Sequence, residues 1–321
     1  MRFLITGGCG FIGSHLLDAL IEAGHEVSVI DDLSTGSIDN VRQHLNSVVA
    51  EIVIDSVLNV PVVESLVQRC DYIFHLAAAV GVKNVMENPL ESIETNIEGT
   101  RIILNAASKF RKPVLFTSTS EIYGKNEAVP FSEDADIVLG PTSMKRWSYA
   151  CSKALDEFLA LAYREAHGLN VIITRLFNTV GPRQSERYGM VLPRFVKQAL
   201  AGQPITIFGD GSQTRCFLHV KDAVAVFLAL IRRNDTYGEI YNVGNPEEIT
   251  IADLARLVKE ETGSNSRIVL VNPADVYKTG FEDMRRRVPD ISKIEALIGF
   301  KPVYSIRDIV RETVSYFRDS A

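Results

Sequence analysis

The sequence has little with which to build a covalent or metal scaffold. Its four cysteines, Cys9, Cys70, Cys151 and Cys216, lie far apart, with no Cys-x-x-Cys pair and no histidine-rich partner segment. That excludes a disulfide framework and a zinc site, fits a reducing compartment, and leaves no metal expected. Long apolar runs are missing as well. No window approaches the ~18 residues of a membrane span, and the apolar stretch ahead of the first glycines is too short for a signal-peptide core. A surplus of positive charge is also lacking: 34 Lys and Arg face 40 Asp and Glu, a net charge of −6 with His neutral. An acidic balance disfavours nucleic acid and anionic membranes as partners, but it permits a local basic pocket for one phosphate-bearing ligand. The expectation is a cytoplasmic protein.

What is present supports a real core. Hydrophobic residues make up 46% and charged residues 23%, which excludes disordered and fibrous classes. The chain of 321 residues exceeds the ~100–200 of one ordinary domain, so one large α/β unit or two unequal lobes are expected. Arg2–Thr6, Glu26–Ile30, Tyr72–Leu76, Pro113–Phe116 and Val171–Thr174 read as buried strands. Between them Phe11–Ala23, Asn96–Lys109 and Tyr149–Ala166 carry helical periodicity. This alternation predicts an α/β fold, a Rossmann-type doubly wound parallel sheet with helices on both faces. After about Asn178, Gly and Pro punctuate shorter elements, with helical patterns at Leu192–Leu200, Ala223–Ile231, Ile251–Thr262 and Ile306–Phe317. This half reads as a smaller mixed α/β substrate lobe, dividing the chain into 1–177 and 178–321 with some interleaving. No linker or repeat separates the halves, so a cleft between them is the expected ligand site.

The first strand runs into Gly7-Gly8-Cys9-Gly10-Phe11-Ile12-Gly13, which opens a helix. Glycines there let the backbone turn tightly and approach a pyrophosphate, whose charge meets the helix N-terminus. Spacing alone would also suit a turn held for packing. Asp31 adds weight: it ends the second strand, 18 residues beyond Gly13, where a carboxylate can bind both ribose hydroxyls of NAD. A 2′-phosphate would meet Asp31 and Asp32 with no Arg or Lys adjacent, so NAD is expected rather than NADP.

Tyr149 and Lys153 stand four apart, one above the other on a helix face. Such pairs are common by chance, and an exposed helical pair is the plain alternative. Upstream, Thr117-Ser118-Thr119-Ser120-Glu121 follows an apolar strand, at the strand end where α/β sheets place their chemistry. A phenol with a cation and NAD+ nearby would have a lowered pKa and serve as a base near neutral pH.

Together the glycine loop, Asp31, His75-Leu76-Ala77-Ala78, Thr119 and Tyr149/Lys153 resemble the extended short-chain dehydrogenase/reductase family. Within it, the chain resembles the NAD-dependent sugar-nucleotide epimerases, dehydratases and decarboxylases over nearly its whole length. The resemblance implies Tyr149 as the catalytic base, Lys153 on the nicotinamide ribose, and Thr119 on the sugar 4-hydroxyl, with Ser120 and Glu121 beside C5. Around the cofactor it implies Gly7, Gly10, Phe11, Ile12 and Gly13, then Asp31, Asp32, Ser34, Thr35, Asp55 and Ser56. Leu76, Ala77, Ala78, Asn96, Thr117, Phe177 and Val180 complete that set. For the substrate it implies Asn178, Arg183, Arg194 and Arg215 near the diphosphate, and Ile205 to Phe208 near the base. The chemistry agrees, since an acidic protein that binds a diphosphate needs local guanidinium forks.

All such enzymes begin by oxidising C4 of the sugar. Two segments resemble the decarboxylases that act on UDP-glucuronate: Gly140–Tyr149, an extension ahead of the catalytic tyrosine, and Gly280–Asp290. The second implies Arg287 at the sugar carboxylate. A 4-ketone is β to the C6 carboxylate, so loss of carbon dioxide yields an enolate, with Glu121 and Ser120 managing the C5 proton. Decarboxylation of UDP-glucuronate to a UDP-pentose is therefore the first reading. A 4-epimerase of a UDP-hexose or UDP-hexuronate is second, and a 4,6-dehydratase third, because Ser120 stands where many dehydratases carry an acid. Arg285–Arg287 as a solvated charge run is the plain alternative for that segment. An NAD-binding regulatory module could lose Tyr149 or Lys153, yet the chain keeps both with Thr119. The resemblance also implies a homodimer through helices around Ile93–Lys109 and Ala150–Arg164, with Ile97, Ile102, Leu104, Leu155, Phe158 and Leu161 as candidate contacts.

Overall fold

The computed structural model describes residues 1–186, 190–272, 284 and 286–319. Strand β1 (Arg2–Thr6) shows why the chain begins a doubly covered sheet. Phe3 and Ile5 face one apolar core while Leu4 faces another, the two-residue alternation of a strand buried on both sides. Strands β2 (Glu26–Asp31), β3 (Ala50–Ile54), β4 (Tyr72–His75), β5 (Val114–Thr119) and β6 (Val171–Leu176) follow. Shorter strands come next: β7 (Thr179–Val180), β8 (Ile205–Phe208), β9 (Thr214–Cys216), β10 (Leu218–His219), β11 (Ile240–Val243), β12 (Glu248–Thr250) and β13 (Ile268–Val271).

Seven strands form one parallel sheet in the order β11-β6-β5-β4-β1-β2-β3. The order reverses between β1 and β4, and their carboxyl ends open the crevice in which such folds bind ligands. Helices α1 (Phe11–Glu22), α2 (Val60–Arg69), α3 (Val82–Glu87), α4 (Pro89–Phe110), α5 (Trp147–His167), α6 (Val191–Leu200), α7 (Val220–Leu230) and α8 (Ile251–Thr262) connect the strands. One face of the sheet packs on α1 and α7 through Leu16, Leu20, Val226 and Phe227. The other packs on α2, α4 and α5 through Leu66, Ile103, Ala107 and Ala160. Pro89 sits in the first turn of α4, where its missing N–H costs nothing.

Past β6, a third core gathers Leu192, Phe195 and Val196 of α6 with Leu254 and Val258 of α8. Ile309, Val310 and Val314 of the helix Ile306–Asp319 close it. The halves 1–177 and 178–321 interleave. Strand β11 pairs with β6 in the main sheet, and α7 packs on α1, so the later half completes the earlier one. Ile102 and Leu104, candidates for an exposed dimer face, lie buried in the core under α4. Leu155 and Phe158 do stand outward, 48% and 67% exposed. Among the described residues no helix is long and apolar enough to cross a membrane.

Candidate active site

A cleft of about 1570 Å3 runs along the carboxyl ends of the sheet and is walled on its far side by the segment Phe208–Phe217. It exceeds the roughly 300–1,000 Å3 of a pocket for one small ligand, a volume that leaves room for more than one such molecule.

The glycine loop forms one end. Gly7 has φ +72°, and a Cβ there would lie 2.9 Å from the Ala77 nitrogen. A Cβ on Gly13 would overlap the Gly7 carbonyl oxygen. Helix α1 therefore starts tight against the strand. Its cap, Gly10, offers no side-chain acceptor, which leaves the first-turn N–H groups for an anion. Asp31 is buried, accepting from Cys9 N and Leu33 N at 2.9 Å each. Burial raises its pKa and those donors pull it back. Phe11, Ile12, Asp32, Ser34, Thr35, Asp55, Leu76, Ala77, Ala78, Thr117 and Val180 line the same cleft. This glycine cradle with an acidic end to β2 fits NAD, which such folds hold with its pyrophosphate on the α1 N-terminus and a ribose on the carboxylate.

Four residues expected at the site do not themselves line the cleft. Asn96 is buried and tied to the loop after β4, its Oδ1 accepting from Ala79 N at 2.7 Å. Phe177 and Ile205 are core residues, because each lies on the packed side of its segment. The Ser56 hydroxyl is used locally, accepting from Leu58 N at 3.2 Å.

The reactive centre lies where β5 ends. Thr119, Ser120 and Glu121 line the cleft with Tyr149 and Lys153 from α5. Tyr123, at the end of the same short turn, anchors it. Its hydroxyl donates to Asn242 Oδ1 at 2.7 Å and accepts from Arg175 Nη1 at 2.9 Å. Arg175 in turn pairs with Glu157 of α5 at 2.8 Å, so the turn and the tyrosine helix share one buried network.

Two electrostatic expectations change. Burial and the Glu121 charge push the Tyr149 phenol above its ordinary value, outweighing its hydrogen bond with Thr119 and the Arg146 charge. Lys153 Nζ pairs with Asp156 Oδ2 at 3.3 Å and lies 3.9 Å over the Phe116 ring. The protein's own groups thus do not supply the lowered phenol expected from a cation and NAD+ together. Glu121 is clamped by Arg146 and Arg287, 2.8 Å from each. Despite burial, the two guanidinium charges hold its pKa at about 2, which favours the ionised form at neutral pH.

Arg146 escaped the sequence reading, although it stands one turn before Tyr149 and so on the same face. Asp156 was also missed; a lone carboxylate on the sheet-facing side of α5 was the available signal. Arg287 and Arg286 both line the cleft, Arg287 buried and Arg286 at its exposed rim, paired with Glu248 at 2.6 Å. Gly280–Asp283 and Arg285 lie outside the described residues. Two buried polar atoms at the centre, Ser120 Oγ and Arg287 Nε, have no protein hydrogen-bond partner among the described residues.

At the far wall Asn178 lines the cleft, with its amide donating to the Cys216 carbonyl at 2.9 Å. Arg194 lies 4.1 Å over Phe208, and Arg215 is buried against its own strand, its Nη1 2.7 Å from the Thr214 carbonyl. Arg183 pairs with Asp18 of α1 at 2.8 Å, which carries it toward the dinucleotide end.

Sheet order, glycine cradle and a Tyr-x-x-x-Lys pair at the strand ends define a dinucleotide-dependent enzyme of the short-chain type. Residues 3–244 match the NAD dependent epimerase/dehydratase family, and the chain belongs to it. It is 44% identical over 319 residues to the UDP-N-acetyl-alpha-D-glucosaminuronate decarboxylase of Bacillus cytotoxicus, covering 99% of this chain and 98% of that one. It is 38% identical to UDP-glucuronic acid decarboxylase 1 of Xenopus tropicalis, covering 99% of this chain and 72% of that one. The fold superposes with TM-score 0.90 on the UDP-glucose 4-epimerase of Thermotoga maritima, solved with UDP-glucose, at 31% identity over 100% and 99% of the two chains. It does so equally, TM-score 0.90 at 27% identity over 100% of both, on the UDP-glucuronic acid 4-epimerase of Bacillus cereus, solved with UDP-glucuronic acid and NAD.

Proposed function

We propose that this protein is an NAD-dependent decarboxylase of a UDP-hexuronate, UDP-glucuronate or its 2-acetamido counterpart, yielding a UDP-pentose and carbon dioxide. The observation that carries the reading is a buried guanidinium, Arg287, whose Nε has no hydrogen-bond partner among the described residues, in the cleft that also holds Tyr149 and the likewise unpartnered Ser120 hydroxyl. Buried donors left open in this way suit a ligand carboxylate.

NAD, when bound, supplies the reversible acceptor for the C4 hydride. Tyr149 accepts the C4 hydroxyl proton, and Thr119 orients that hydroxyl. Arg287 and Ser120 hold the C6 carboxylate, and the ionised Glu121 fixes both arginines in place. Breaking the C5–C6 bond releases carbon dioxide and leaves its electron pair on the C4–C5 enolate. Solvent then supplies the proton that takes the place of the lost carboxylate at C5, the C4 hydride returns to reduce the 4-ketone, and Tyr149 returns its proton to the C4 oxygen. Asn178, Arg183, Arg194 and Arg215 are assigned to the diphosphate side and Phe208 to the base. The protein is assigned to the cytoplasm, as a homodimer through the outward faces of α4 and α5.

The test is product mass after incubation with NAD+ and each UDP-hexuronate. Loss of carbon dioxide is expected. Unchanged mass with a new isomer would make it a 4-epimerase, and loss of water a dehydratase.

A further inference from the structure

On α5, three residues beyond Lys153, Asp156 is wholly buried at 0% exposure, and no step above uses it. Its Oδ2 lies 3.3 Å from Lys153 Nζ. Lys153 is itself 2% exposed and is the one cation paired with Asp156 among the described residues. The groups facing this pair come from several elements. From β5, the Phe116 ring lies under the ammonium at 3.9 Å. From β4 comes His75, whose pKa burial and the Lys153 charge lower to about 3, so it is neutral at working pH. From α4, Thr100 stands beside the Asp156 carboxyl. From α5 itself come Tyr149, one turn earlier, and Glu157, whose charge is engaged by Arg175. Glu121, Thr119 and Arg146 surround Tyr149 on the cleft side.

We propose that Asp156 is a positioning residue for the catalytic pair, the counter-ion that keeps Lys153 charged beneath the cleft so that Tyr149 works beside a cation. The inference rests on the catalytic reading of Tyr149 and Lys153. An ammonium in a buried apolar setting loses its proton unless an opposite charge lies close. Burial pulls Lys153 below its ordinary value, and Asp156 is the largest influence opposing that pull. The Phe116 face attracts a cation, but an aromatic quadrupole does not replace a full negative charge. A neutral amine at position 153 would take away the cation one turn along α5 and leave the Arg146 charge as the cation opposing burial and Glu121 at the phenol.

The sign of one measurement separates this from a packing role. Asp156, whose own pKa burial raises against the pull of the Lys153 charge, is in its ionised form also an anion near Tyr149 and by itself raises the phenol. If Lys153 stayed charged without Asp156, removing the carboxylate would lower the phenol and move the acid limb of the activity profile to lower pH. If Asp156 maintains the Lys153 charge, Asp156→Asn moves that limb to higher pH. The experiment is the pH dependence of kcat/KM for the NAD-loaded enzyme on UDP-glucuronate or its 2-acetamido counterpart, whichever the wild type turns over. The expected result for Asp156→Asn is about a tenfold loss at neutral pH, one unit of limb shift. The loss recovers on raising the pH, NAD affinity is retained, and Asp156→Glu restores the profile. An unmoved limb, or one moved to lower pH, overturns the proposal. Should Asp156→Asn fail to fold, carbon-13 titration of the wild-type lysine ε-carbons, with Lys153 assigned by Lys153→Arg, decides it. A charged Lys153 at mildly alkaline pH supports the proposal and a neutral one at neutral pH refutes it. Failure of the wider reading is distinct: the wild type then turns over no UDP-hexuronate at all, whatever the lysine titration reports.

Discussion

Arg287 Nη1 lies 2.8 Å from the Glu121 carboxylate, the arginine buried and the glutamate nearly so. With Arg146 on the other oxygen, the clamp fixes the charge of Glu121 and, through it, the direction of both guanidinium groups. Its pKa of about 2, against an ordinary 4.5, means the folded state holds the carboxylate ionised more strongly than the unfolded chain does. That stabilisation is complete above the unfolded value and is lost as pH falls through the folded one. Urea denaturation should therefore show wild-type stability falling between about pH 4.5 and 2, and Glu121→Gln should flatten that fall. At neutral pH the variant should be less stable by about 3–5 kcal/mol, the usual cost of breaking a buried pair.

Tyr149→Phe removes the proton acceptor and little else, since the ring keeps its place on α5. Turnover should drop by about 10²–10⁴-fold, the ordinary contribution of a positioned acid/base group. NAD affinity, followed by fluorescence, should stay near wild type; a parallel loss of both would place Tyr149 in binding rather than in proton transfer.

Gly13→Ala places a methyl group against the Gly7 carbonyl, a backbone atom that cannot rotate away. The glycine loop must shift, at about 1–3 kcal/mol of strain. NAD binding by calorimetry should weaken at least tenfold, while UDP binding at the far wall should persist.

Asp31 offers its carboxylate at the end of β2, with Asp32 beside it on the cleft. Like charges should repel a 2′-phosphate, so NADP should bind far more weakly than NAD. Replacing Asp31 with Ser and Asp32 with Arg should narrow or reverse that preference, read from paired titrations. Overall stability should fall by about 1–3 kcal/mol, because Cys9 N and Leu33 N lose a buried acceptor.

Phe158 is 67% exposed on α5, one turn beyond Leu155 at 48%. If this face joins two copies, Phe158→Glu should convert a dimer to a monomer in light scattering, with the circular dichroism of the fold retained. A monomeric wild type would remove the dimer assignment.

Much of this was legible in the chain because it is local. A strand, a tight glycine turn and a helix N-terminus occupy consecutive residues, so the dinucleotide end can be read from Arg2 to Asp31 without knowing what packs on it. Tyr149 and Lys153 are bound by helical spacing in the same way. Arg285, Arg286 and Arg287 show the limit. They form one charge run in sequence, yet Arg286 pairs with Glu248 at the exposed rim while Arg287 is buried against Glu121. Ile102 and Leu104 show it again, as apolar residues that could face a partner or a core and are claimed by the core.

The sequence by itself determined the sheet class and the cofactor end, because periodicity and short spacings dictate them. The spacing of Tyr149 and Lys153 put them on one helix face, and their proposed role came from the family resemblance. The tertiary structure alone decided that Glu121 stands between Arg146 and Arg287 and that the local pair Lys153 and Asp156 is buried. Burial and distance set the strength of those pairings. Glu121 and Arg287 meet only because β5 and a segment far along the chain converge on one cleft.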